Sequence, residues 1–232
     1  MRIAVVKFPG TNSERDVLHA LEVIPGAKPY FVLSRDGSGE LAGADGIIIP
    51  SGASFKEYER TGMTKPVEEM MSAIKERADS GVPVIGIGNG FQFLTEADLL
   101  PGKLLPNESG RFVCKWVYLR VCNEPSQFTQ GLEGAVIRVP VAHSEGRFFS
   151  EGKELRDLMK TGRVVFRYCN EDGEIDPLAN PNGSVKNIAG LVNKQGNVLG
   201  MVPHPERASR TVLSSTDGLM ILENFVRAMS ML

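Results

Sequence analysis

Cysteine is scarce in this chain. The three present, Cys114, Cys122 and Cys169, are an odd, widely spaced set with no CxxC pair. That argues against a disulfide framework and against a zinc site, and leaves burial as small apolar side chains as the expected role of all three. A clustered positive field is also missing. Net charge is -2 and no basic run occurs, which speaks against nucleic acid as the main partner. No apolar run approaches membrane-spanning length. The chain enters an apolar strand at Ile3 with no signal-peptide pattern before it, so the cytoplasm is the expected compartment. Repeats, low-complexity tracts and an interdomain linker are lacking too. A length of 232 residues suits one large α/β domain or two small ones. With no linker, a single domain over residues 1–232 is expected.

What the sequence does contain is alternation. Ile3 to Val6 read as a strand, followed by a loop from Lys7 to Asn12. Thr11 and Glu14 have capping-box spacing, and Val17, Leu18 and Leu21 give one helical face, ended by Pro25 and Gly26. Tyr30 to Leu33 form a second strand, Leu41 to Gly46 a short helical turn, and Ile47 to Ile49 a third strand. After the small-residue loop Pro50 to Phe55, the residues Val67, Met70, Met71, Ile74 and Ala78 recur at helical spacing. This order predicts a parallel, doubly wound sheet.

The middle of the chain has a different pattern. Val117, Leu119 and Val121 alternate with Trp116, Tyr118 and Arg120, and a further strand spans Val136 to Val141. These strands predict an antiparallel pair or extension. Ala142 to Phe148 read as a polar loop, Leu155 to Met159 as a short helix, and Val164 to Tyr168 as a strand. A loop from Asn170 to Ser184 precedes a hairpin of Ile188–Val192 and Val198–Val202. A last helix, capped by Asp217, shows Leu219, Leu222, Phe225, Val226 and Met229 on one face. The expected fold is α/β: a flavodoxin-like, open, mostly parallel sheet with helices on both faces and an antiparallel extension.

The stretch Val82 to Phe93 begins as an apolar, β-branched strand. It passes through Gly86, Gly88 and Gly90 and leaves as a helix start. Gly-x-X-x-Gly between strand and helix is the pattern of a nucleophile elbow, which lifts residue X above the sheet edge. Here X is Gly88, which has no side chain.

Ligands of an open parallel sheet bind at the carboxyl ends of its strands. Loops with Phe8-Pro9-Gly10-Thr11-Asn12, Pro50-Ser51-Gly52, Gly86-Ile87-Gly88-Asn89-Gly90 and His204 are expected to converge there. His204 with Glu206 suits a base and its orienter, Pro203 and Pro205 holding both extended; alone, the pair also suits a capped surface turn. His143 with Glu145 fits a water-facing loop and a contact to substrate or partner equally well. Backbone N–H groups of Pro50-Ser51-Gly52 and of Asn89 could form an oxyanion hole, or the loop is an ordinary turn. Gly10 and Thr11 read as a tight turn rather than a phosphate cradle. Trp116 and Tyr118 read as packing.

Taken jointly and in order, several segments resemble one family. They are Phe8-Pro9-Gly10-Thr11-Asn12, Asn89-Gly90-Phe91-Gln92, Leu99-Leu100-Pro101-Gly102, Ala142-His143-Ser144-Glu145-Gly146-Arg147-Phe148, Asn180-Pro181-Asn182-Gly183-Ser184 and Met201-Val202-Pro203-His204-Pro205-Glu206-Arg207. The family is the class I, triad-type glutamine amidotransferases, in the branch serving phosphoribosylformylglycinamidine synthase of purine biosynthesis. The likeness runs from Met1 almost to Leu232. It implies that an elbow cysteine attacks the side-chain amide of glutamine, with the positions of His204 and Glu206 as base and orienter. A thioester forms and is hydrolysed to glutamate. Ammonia passes to a large synthetase subunit, which uses ATP and Mg; a small subunit bridges the two. No cofactor is implied for the amidotransferase subunit itself. Gln92 matches a glutamine contact, and the residues around Gly52 match the oxyanion loop.

Three positions depart from the family pattern. Gly88 stands at the nucleophile, and Ser51 and Ser144 replace usual glycines. Removing a protease nucleophile costs roughly 10⁶ in turnover, so the chain is expected to be silent as a glutaminase. Ser51 or Ser144 as a substitute attacker is disfavoured, because a neutral hydroxyl is the weaker nucleophile. A non-enzymatic partner or scaffold subunit of the synthetase is the alternative reading.

Overall fold

A computed structural model describes residues 1–53, 65–122 and 126–231. Ser54 and Phe55, the end of the expected Pro50–Phe55 loop, lie outside the described residues. Four consecutive apolar residues, Ile3 to Val6, are fully buried in β1 (Arg2–Lys7). Burial on both faces marks a central strand. It pairs in parallel with β2 (Lys28–Leu33) and β3 (Gly46–Ile49), and β3 pairs with β4 (Val84–Ile87).

The hairpin of β10 (Ile188–Val192) and β11 (Val198–Met201) joins this parallel set through β11, which lies parallel to β4. Beyond β10 come β9 (Val164–Cys169), β6 (Val113–Val121) and β7 (Val136–His143), each antiparallel to its neighbour. The nine-stranded order is β2-β1-β3-β4-β11-β10-β9-β6-β7, and β5 (Lys103–Leu105) pairs with β8 (Arg147–Phe149) in a separate ribbon. The mostly parallel sheet and its antiparallel extension match the sequence expectation.

Strand periodicity sorts the core into two layers. Ile3 and Val5 pack on one face with Val17 and Leu21 of α1 (Glu14–Glu22) and Ile221, Leu222 and Phe225 of the last helix. Ala4 and Val6 pack on the other with Met70 and Ile74 of α2 (Lys65–Asp79), Phe91 and Leu94 of α3 (Asn89–Glu96), and Leu158 of α4 (Gly152–Lys160). Helices thus cover both faces. The last helix, α5, spans Asp217–Ala228. Among the described residues no helix is long and apolar enough to cross a membrane.

Several local expectations are corrected. No capping box forms at α1: its N-cap is Ser13, without a side-chain cap bond. Thr11 Oγ1 instead accepts from the N–H of Phe8 at 3.0 Å, and Glu14 pairs with Lys7. The Asn12 and Ser13 N–H groups are taken by Ser51 O at 3.1 and 3.2 Å, so a tertiary acceptor satisfies the helix entry. Asp217 is the first residue of α5 rather than its cap, and its Oδ2 accepts from Arg138 N at 2.7 Å, tying the helix to β7. The turn expected at Leu41–Gly46 lies earlier, as 3-10 turns at Ser34–Asp36 and Ser38–Leu41. His143 belongs to β7 rather than to a loop. Cys169 is buried, but Cys114 and Cys122 are exposed. Cys114 lies near the start of β6 beside the exposed Lys115, where β6 is paired with β7 but not yet with β9, so the end of the strand meets water.

Candidate active site

The carboxyl ends of β1, β3, β4 and β11 bring their four loops to one edge. Backbone bonds stitch the first two together. Thr11 bridges Gly52, and Ala53 N donates to Gly10 O at 3.0 Å. A β-carbon on Gly52 would run into the backbone of Gly10, and one on Gly90 into the backbone of Ile49. Small residues here permit main chain to approach main chain. Gly88 sits at φ +52°, ψ -110°, caps α3, and donates its N–H to Met201 O at 2.8 Å. That positive φ strains any side-chain-bearing residue. The elbow is present as backbone.

Behind it stands a buried pair. His204 Nδ1 lies 2.7 Å from Glu206 Oε1, with both residues almost fully buried. An ionised carboxylate only accepts, so Nδ1 carries the proton and Nε2 keeps a lone pair. His204 N donates to Pro140 O at 2.9 Å, which fixes the residue against β7. The expected extended geometry holds for His204 alone. Pro205 opens a 3-10 turn over Pro205–Ala208, and this turn folds the Glu206 carboxylate back to the imidazole. A β-carbon built on Gly88 would lie 3.7 Å from His204 Cε1, the ring atom between the two nitrogens. The imidazole edge therefore faces the nucleophile position.

Ser51 is buried, and its main-chain O is held by Asn12, Ser13 N and Ser13 Oγ. Its hydroxyl turns toward the elbow and accepts from Asn89 N at 3.5 Å. Asn89 Nδ2 donates to Gln92 Oε1 at 3.2 Å, and Gln92 Nε2 donates to Glu96 at 3.0 Å. The expected oxyanion loop is thus next to Asn89, with a hydroxyl at the Asn89 donor.

His143 faces the same cavity from β7. Asn107 spends both Nδ2 hydrogens on the carbonyls of Arg111 and His143, which leaves its Oδ1 as acceptor for His143 Nδ1 at 2.9 Å. The imidazole is therefore Nδ1-protonated, with Nε2 facing Asn182 Nδ2 at 3.5 Å. Burial first, and then the electrostatic interaction with the neighbouring His204 ring, which disfavours a second charge in the cavity, push its pKa down to about 4. His143 is a buried, neutral imidazole, so the water-facing loop is ruled out for it; Glu145 remains partly exposed.

These elements enclose a cavity of about 220 Å³. It is smaller than the usual drug-sized site. Gly52, Gly88, Asn89 and Gln92 line one side, and His143, Ser144, Glu145 and His204 the other. Glu206 stands behind His204, out of the cavity. Sequence reasoning missed Phe112 and Arg207, which also line it, and the amides of Asn107 and Asn182 that hold His143. Asn182 lies in a segment that carries the family likeness, which was its only signal. Among the described residues no group of three or more His, Cys, Asp or Glu side chains is placed to hold a metal ion.

An α/β sheet with a strand–elbow–helix and a His–Glu pair at its carboxyl edge is the architecture of a triad-type amidotransferase site without its nucleophile. A family model described as a CobB/CobQ-like glutamine amidotransferase domain matches residues 1–221, and the chain belongs to this family. Within it, the chain is 49% identical over 222 residues to the phosphoribosylformylglycinamidine synthase subunit PurQ of Aquifex aeolicus, covering 95% of this chain and 97% of that protein. It is 44% identical to the PurQ subunit of Pyrococcus horikoshii, over 99% of both chains. The solved PurLQS structure from Thermotoga maritima matches at a TM-score of 0.81 and 38% identity, over 97% of each chain.

Proposed function

We propose that this chain is the glutamine amidotransferase subunit of a phosphoribosylformylglycinamidine synthase in de novo purine biosynthesis, and that Gly88 silences its glutaminase step. It works in the cytoplasm as one amidotransferase domain over residues 1–232. The observation that carries the reading is the buried His204–Glu206 pair whose imidazole edge faces the Gly88 elbow.

In such a site His204 Nε2 takes the proton of a nucleophile at position 88 and returns it to the departing ammonia. Glu206 holds the tautomer. Asn89 N, with the loop at Gly52, is the donor set for the tetrahedral oxyanion, and Gln92 contacts the substrate. The cavity carries a carboxylate, Glu145, and a guanidinium, Arg207, which suits the two charged ends of free glutamine. His143 adds a neutral imidazole to the same lining. Ammonia passes to a large synthetase subunit, which uses ATP and Mg, with a small bridging subunit between the two.

The test is to assemble the chain with its synthetase subunit and compare glutamine with ammonium as nitrogen source. Amidation with ammonium but not glutamine, together with calorimetric binding of glutamine to the chain, is expected. Brisk glutamate release would sink the claim that Gly88 silences the site. Support of the synthetase without any glutamine binding would favour the alternative, a non-enzymatic scaffold subunit.

A further inference from the structure

We infer that Ser51 blocks the nucleophile position, so that positions 51 and 88 are coupled and a cysteine at 88 needs a glycine at 51. The inference rests on reading Gly88 as that position. A β-carbon built on Gly88 falls on Ser51 Oγ, well inside van der Waals contact, and 3.1 Å from Ser51 Cβ. No other atom of the described residues crowds it as closely; the next, His204 Cε1, is at an ordinary 3.7 Å. Among the described residues, Ser51 alone bars this space.

Relief by movement is limited. The Ser51 carbonyl is held by three donors from Asn12 and Ser13, which pin its main chain. Rotation about χ1 can remove Oγ from the clash. It leaves Cβ at 3.1 Å, still tight, and strips the hydroxyl from Asn89 N. With the native rotamer, the hydroxyl also sits on the N–H that a tetrahedral oxyanion would use. Ser51 thus acts twice, on the space of the attacking side chain and on the donor for the oxyanion. Both effects vanish when residue 51 has no side chain.

The backbone strain of φ +52° at position 88 is the same whatever residue 51 is. A double-mutant cycle cancels it. Gly88→Cys, Ser51→Gly and the pair would be compared by thermal unfolding, by mass-spectrometric rate of iodoacetamide alkylation at position 88, and by glutamate release with the synthetase subunit. Gly88→Ala in the same two backgrounds repeats the unfolding cycle should the cysteine variant fold poorly.

The expected result is non-additive. Ser51→Gly raises the Tm of the position-88 variants but not of the parent, speeds alkylation, and raises glutamate release by roughly 100-fold over Gly88→Cys alone, the scale of a misplaced attacking group. Additive Tm shifts, with equal alkylation and release in the single and double variants, would overturn the inference. So would glutamate release by the parent that Ser51→Gly abolishes, since Ser51 would then be the attacker. A clear Tm and alkylation coupling without glutamate release in any variant upholds the block at Ser51 and refutes the glutaminase reading instead.

Discussion

The two sides of the cavity are built to different degrees. On the β11 side, His204 and Glu206 are buried, paired at 2.7 Å and anchored through Pro140. On the β4 side, the elbow keeps its positive φ, its bond to Met201 and its close approach to Ile49, but carries no reacting atom. A serine hydroxyl from the loop after β3 stands beside the vacant position. The difference teaches that an elbow's backbone and its chemistry are separable. The turn is held by main-chain packing between β3, β4 and α3, whereas the nucleophile is one side chain that packing does not require.

The largest expected effect breaks the backbone half of this contrast. Gly90→Ala drives a β-carbon into the carbonyl of Ile49, and neither backbone can yield without moving a central strand. A loss of about 4 kcal/mol or more, at the exceptional end for single substitutions, is expected in urea denaturation. A loss under about 1 kcal/mol, within the range of tolerated packing changes, would mean that the elbow is not locked by main-chain contact.

Next comes the paired side. Glu206→Ala leaves His204 Nδ1 buried without its acceptor and opens a void beside it. An unsatisfied buried donor costs about 1–3 kcal/mol, and the void adds to that. Glu206→Gln keeps the volume and an acceptor oxygen and should cost less. Equal losses for the two variants, by the same denaturation measurement, would show that shape rather than the hydrogen bond holds this side.

A third test sets His143 against His204, two buried imidazoles on one cavity with different partners. Amides hold His143, and its pKa is lowered to about 4 from 6.5. A histidine kept neutral by folding binds its proton more readily when unfolded. Its contribution is therefore complete above the unfolded value and is lost as pH falls from about 6.5 towards 4, by up to about 3 kcal/mol. His143→Asn should flatten the fall of Tm over that window relative to the parent. Parallel profiles for parent and variant would remove His143 as the group responsible.

Legibility in the sequence followed the range of each interaction. Apolar periodicity and glycine spacing placed β1, β3, β4 and the elbow, because strand burial and turn sterics are local. The His204–Glu206 pairing was readable because the partners are two residues apart, although the 3-10 turn that closes it was not. Asn107 and Asn182 stayed hidden, since amides carry no charge signal and their meeting at His143 depends on how β7 packs against two distant loops. Ser51 was visible as a departure from the family's glycine. Its contact with position 88 was not, because only the β3–β4 pairing brings the two together. The capping box at Thr11 failed for a similar reason: a carbonyl from the next loop took the helix entry.

The smallest effect sharpens the vacant side. Ser51→Ala removes one hydroxyl whose bond to Asn89 N is long, at 3.5 Å. The three donors on Ser51 O are untouched by the change, so the loop keeps its anchor. The expected change is within about 1 kcal/mol, the net worth of one ordinary hydrogen bond, measured as a shift of the urea midpoint at constant slope. A loss near that of Glu206→Ala would mean that the hydroxyl supports the elbow as strongly as the carboxylate supports His204. Near-neutrality would mean that it fills the space a nucleophile vacates without being needed for the fold, and that the vacant side can be emptied by substitution while the paired side cannot.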